Sequence, residues 1–108
     1  MTWTVDTSGT QTADGSEDVL VAAATTNATY VLKVDLTNMT NGDIVELRIY
    51  TKVLTGGTLD LVWKGTYAQA PMILVAQSPF VPSDFSLKAT LKQTAGTNRN
   101  YDWSLLRQ

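Results

Sequence analysis

The sequence predicts an all-β fold: a single-domain antiparallel β-sandwich, jelly-roll-like, with about eight strands. Three observations carry that expectation. Apolar and polar residues alternate with a period of two over most of the chain, as strands with one buried face do. No segment repeats its apolar residues at helical spacing. Turn signals built from Gly, Asn, Asp and Pro recur about every 8–14 residues, the spacing of a sandwich or barrel.

The elements follow in order. Residues 3–12 read as an extended N-terminal arm or first strand, rich in Thr and ended by the turn dipeptide Asp14-Gly15. Residues 18–24 form the next strand, followed by a Thr/Asn loop over 25–27. Over 29–37, Tyr30, Leu32, Val34 and Leu36 share one face, with Lys33 and Asp35 on the other. "NMTNGD" turns the chain, with Gly42 available for a positive φ.

Residues 44–54 and 58–67 form a hairpin about Gly56-Gly57. Val45, Leu47, Ile49 and Val53 fall on its inner face, continued by Leu59, Leu61 and Trp63. Glu46, Arg48, Tyr50 and Lys52 fall outside. Residues 72–77 are apolar on both sides, which suits a strand buried twice or bordering another molecule. "SPFVPSD" reads as a proline-fixed loop. Residues 85–93 alternate cleanly, with Phe85, Leu87, Ala89 and Leu91 inward. "TAGTNRN" is a loop, and residues 101–107 close the sheet. The expected core is Leu47, Ile49, Leu61, Trp63, Leu87, Leu91 and Trp103.

The 108 residues make one domain, 1–108, long enough to bury a core without staples. Eight basic and ten acidic residues are interspersed, giving a net charge of −2. Without a Lys/Arg block, the electrostatic footprint of a nucleic-acid binder is missing. No apolar run approaches the length of a membrane span. "MTWTVDTSGT" has neither the basic nor the apolar segment of a signal peptide.

The chain contains no His and no Cys, so the commonest general base, thiol nucleophile and imidazole ligand are absent from it. Glu46 and Asp60 sit on opposite arms of the hairpin and are the pair to weigh for carboxylate catalysis. Ion pairing with Arg48 and Lys64 is the simpler account of both. Asp14, Glu17 and Asp18 crowd one turn but lack the ligand spacing of a calcium loop, so a solvated turn is expected. The reading therefore assigns no catalytic residue, no cofactor and no metal.

The aromatic residues point to contact. Tyr50 lies in the outer phase between Arg48 and Lys52, and Tyr with Arg is a common interface pairing. Tyr67, next to an apolar segment, is a second candidate. Trp3 and Val5 are candidates on the arm, which has the character of a strand that adds to a partner's sheet edge. Trp3, Trp63 and Trp103 also suit a sugar-stacking platform, although Trp63 and Trp103 run in phase with inner leucines.

"YVLKVDLTNMTNGDIVELRIYTKVLTGGTLDLVWKGTYA" and "LKQTAGTNRNYDWSLLR" resemble small proteins encoded near the structural genes of tailed bacteriophages. The similarity spans residues 30–107 and is one of phrase, without a motif that carries chemistry. The group includes proteins similar to capsid cement or decoration proteins. The resemblance implies a structural virion protein that stabilises the phage head by contact, with the major capsid protein and copies of itself as partners. It implies a place on the capsid surface after assembly in the bacterial host cytoplasm. Tail-fibre, head-fibre and adhesion modules share the same Thr-rich β character, and a carbohydrate-binding module is the remaining alternative.

Overall fold

The computed structural model describes residues 2–54, 56–68, 74–83 and 86–108. Among the described residues nine strands follow one another: β1 (Thr4–Thr12), β2 (Glu17–Ala24), β3 (Ala28–Asp35), β4 (Ile44–Thr51), β5 (Asp60–Ala68), β6 (Val75–Gln77), β7 (Val81–Ser83), β8 (Leu87–Ala95) and β9 (Asn100–Arg107). They form two antiparallel sheets that pack together as a β-sandwich. Sheet A runs β1-β9-β3-β6, with β7 also pairing β3, and sheet B runs β2-β8-β4-β5. No helix among the described residues is long and apolar enough to cross a membrane.

The N-terminal segment is not a free arm. As β1 it pairs β9 from Thr4↔Arg107 to Thr12↔Asn100 and forms the outer strand of sheet A. The ninth strand comes from the segment expected to be a loop: Val81–Ser83 pairs Ala28, Thr29 and Tyr30 of β3. Pro82 has no N–H to donate, which a short strand at a sheet edge tolerates. The expected strand over 72–77 appears as Val75–Gln77, while Met72, Ile73 and Phe85 lie outside the described residues.

The alternation read from sequence places most of the core correctly. Tyr30, Leu32, Val34, Val45, Leu47, Ile49, Leu87, Ala89, Leu91, Tyr101 and Leu105 are all buried in one cluster between the sheets. Trp63 and Trp103 are inner-phase but only half-buried, packing against that cluster from its rim. Each lies across a glycine. A Cβ on Gly65 would come within 2.7 Å of the Trp63 ring, and one on Gly9 within 3.4 Å of the Trp103 ring.

Leu61 is the exception, at 50% exposure. Ile49 pairs Trp63, but its neighbour Tyr50 pairs Leu61, so Val62 is an extra residue in β5. This β-bulge reverses the phase, because one inserted residue exchanges the faces of everything beyond it. Leu61 therefore faces outward with Tyr50. Val53 also leaves the expected inner face: β4 ends at Thr51, and Val53 stands 82% exposed in the loop beyond.

Gly56 holds a φ of +81° in that loop, and the Gly57 N–H donates to the Leu54 carbonyl at 2.9 Å. Gly56→Val is expected to destabilise the protein by about 1–2 kcal/mol, because a side chain with a Cβ strains at left-handed φ. Chemical denaturation checks this, and unchanged stability would remove the turn assignment.

A polar cluster closes the sandwich where the β3–β4 connection meets the β8–β9 turn. Asp43 accepts from the Thr40 N–H at 2.9 Å, the Thr97 N–H at 3.0 Å and Arg99 Nε at 2.9 Å. Gln93 Oε1 accepts from the Arg99 N–H at 3.2 Å and the Tyr101 hydroxyl at 2.9 Å. Burial pushes the Tyr101 phenol up to about 12. Gly96, at φ +87°, passes so close that a Cβ there would collide with the Asp43 carboxylate. The cluster joins two loops that the sequence separates widely.

Candidate functional site

The two outer faces of the sandwich differ in chemistry. On sheet B the register sets Glu46 beside Lys92, Arg48 beside Thr90, and Tyr50 beside Lys88. Arg48 pairs with Glu46 on its own strand, and reaches over Thr90 to Glu17 of β2 at 3.2 Å. The Tyr50 hydroxyl donates to the other Glu17 oxygen at 2.7 Å. Lys88 Nζ lies 5.4 Å from the centre of the Tyr50 ring, within cation–π range. The Tyr50 hydroxyl, helped by Arg48 and Lys88, holds the Glu17 carboxyl below the usual range. This face is polar, with Arg48, Lys64, Lys88 and Lys92 outnumbering Glu17 and Glu46, and its Arg48–Glu17–Tyr50 group is already ordered.

The register also places the two hairpin carboxylates. Asp60 pairs Thr51 while Glu46 pairs Thr66, so the two carboxylates lie at separate levels of the hairpin and do not face each other. Asp14 accepts from the Ser16 N–H at 3.0 Å and the Ser16 hydroxyl at 2.6 Å, which makes a local turn. Among the described residues no group of carboxylates is placed to hold a metal ion.

The outer face of sheet A carries an apolar row at one end and is polar beyond it, through Ser8, Lys33, Asp102 and Ser104. Val5, Leu106 and Val31 line up across β1, β9 and β3. Trp3 and Phe80 stand over this row with ring centres 5.5 Å apart and planes tilted by 52°. Together they enclose a groove of about 250 Å³, lined by Trp3, Val31, Lys33, Gln77, Phe80 and Leu106. Beyond Lys33 the groove continues past Asp35, Val75 and Asp102. Phe80, in the connection between β6 and β7, is 65% exposed, which is unusual for so large an apolar ring.

The six residues expected at an interface thus divide. Trp3 and Val5 belong to the outer face of sheet A. Arg48 and Tyr50 belong to the outer face of sheet B, and Lys52 lies just beyond the end of β4. These groups are on opposite sides of the molecule, so they form two surfaces rather than one. Tyr67 belongs to neither. It pairs Val45, turns inward with it, and packs half-buried against the core.

Val31, Phe80 and Leu106 were not singled out from sequence. Val31 and Leu106 fall in the outer phase of strands whose inner phase is also apolar. That double-sided character, visible in "YVL" and "LL", was the available signal. Comparison with family models, with curated proteins and with solved structures finds no significant match.

Proposed function

We propose that the protein is a structural component of a tailed-phage virion, a capsid cement or decoration protein that acts by contact alone. The observation that carries the reading is the two-sidedness of the sandwich: an apolar patch on the outer face of one sheet and an ordered charged-aromatic face on the other. A shell decorator needs such a pair, one surface for the shell and one for its neighbours. The sequence resemblance described above supplies the viral setting.

We further infer a jelly-roll topology, supported by the strand orders β1-β9-β3-β6 and β2-β8-β4-β5, in which successive strands mostly alternate between the sheets. The sheet B face is the shell-facing surface in this reading. Arg48 and Tyr50 are held by Glu17 before any contact, which lowers the entropy cost of docking. Binding the assembled shell in preference to its free subunits stabilises assembly by mass action.

The test compares virions with and without the protein. Particles lacking it are expected to release DNA at a lower temperature while still adsorbing to cells, and added protein restores the wild-type temperature. Arg48→Ala with Tyr50→Ala should abolish that rescue. Particles that keep their heat stability but fail to adsorb would overturn the cement reading in favour of an adhesion module.

A further inference from the structure

We infer that copies of this chain associate head to tail, the β4–β5 hairpin end of one copy seating in the sheet A groove of the next. This deepens the reading above by naming a second copy as the occupant of one contact surface.

The hairpin end is a knob without a cover. Val53 is 82% exposed and Leu54 71%, and the bulge in β5 brings Leu61 and Val62 outward beside them. The groove is a socket floored by Val31 and Leu106 and walled by Trp3 and Phe80. The same chain carries both halves, so a second copy is the partner that satisfies both.

The charges agree with that pairing. Lys52 and Asp60 flank the knob, and neither has an ion-pair partner among the described residues. Along the groove, Lys33 stands at the waist with Asp35 and Asp102 beyond it, also without ionic partners among the described residues. Seating the knob with Lys52 toward Asp102 and Asp60 toward Lys33 matches both signs, whereas the reverse orientation opposes them.

A copy cannot satisfy itself. The hairpin end prolongs sheet B, while the groove opens on the side of sheet A turned away from sheet B. The contact is therefore between different patches. It propagates into a ring if the rotation closes and into an open chain if it does not.

The experiment is light scattering on the purified full chain at rising concentration, with no virion present, so failure of the shell reading leaves its outcome unchanged. Wild type is expected to show a mass rising above the 11.7 kDa of one chain. Leu54→Asp and Phe80→Asp should each weaken assembly at least tenfold while keeping the wild-type melting temperature, since both side chains are exposed. Mixing the two variants should give a one-to-one dimer and nothing larger, because Leu54→Asp retains an intact groove and Phe80→Asp an intact knob. A wild type that stays monomeric at every concentration overturns the inference. So does a variant that assembles as wild type does, or a mixture that remains monomeric.

Discussion

Asp43→Ala is expected to cost the fold about 3 kcal/mol, a large share of the roughly 5–15 kcal/mol that keeps a domain of this size folded. The carboxylate satisfies two backbone N–H groups and the Arg99 guanidinium at once, and alanine leaves all three without their acceptor. Asp43 is 1% exposed, yet it sits at the end of the sandwich with little protein beyond its immediate neighbours, and Arg99 is partly open to water. Solvent nearby screens the pair, which places the cost at the low end of the range for buried ion pairs.

A pH dependence accompanies the loss. The Thr40 N–H, with Arg99 and the Thr97 N–H, holds the Asp43 carboxyl below its ordinary value in the folded protein. A depressed folded-state pKa contributes stability that is present above the unfolded value of about 4 and disappears as pH falls through the folded one. Wild type should lose stability on acidification below about pH 4, and the Asp43→Ala variant should show a shallower acid limb. Asp35 and Glu17 are depressed too and supply part of the remaining slope. Urea denaturation across pH 2.5–7 measures both effects. Equal slopes in the two proteins would mean that Asp43 does not fasten the loops.

Leu47→Ala is expected to cost about 2–5 kcal/mol through lost transfer energy and the cavity left behind. Leu47 is fully buried on β4, a central strand of sheet B, between Leu91 on β8 and Gly65 on β5. Gly65 has no side chain with which to fill the space, so the site collapses poorly. The melting temperature should fall by about 4 °C or more for each kcal/mol. Leu61→Ala is the control: outward-facing and half exposed, it should change stability far less. If the two substitutions cost the same, the bulge at Val62 and the inward phase of β4 are misassigned.

These two residues show what sequence reading reaches and what it does not. Leu47 was legible because alternation with period two is local, and β4 keeps it without interruption from Val45 to Ile49. Asp43 was not, because "NGD" reads as a turn and its partners Thr97 and Arg99 arrive more than fifty residues later. The bulge was hidden for a different reason. Leu59, Leu61 and Trp63 alternate as an uninterrupted strand does, and the extra residue is visible only against the partner strand. The groove draws residues 3, 31, 80 and 106 from four separate segments, a grouping that only the sheet order creates. Arg48 and Tyr50 were placed on the right face. Their commitment to Glu17 required knowing that β2 lies one strand away across β8.

The shell-binding account is tested most directly by quantitative mass spectrometry of purified virions, counting this chain against the major shell protein. The account predicts a copy number in fixed proportion to the shell lattice, unchanged in tailless heads. A count matched to tail components, lost when tails are removed, would contradict it.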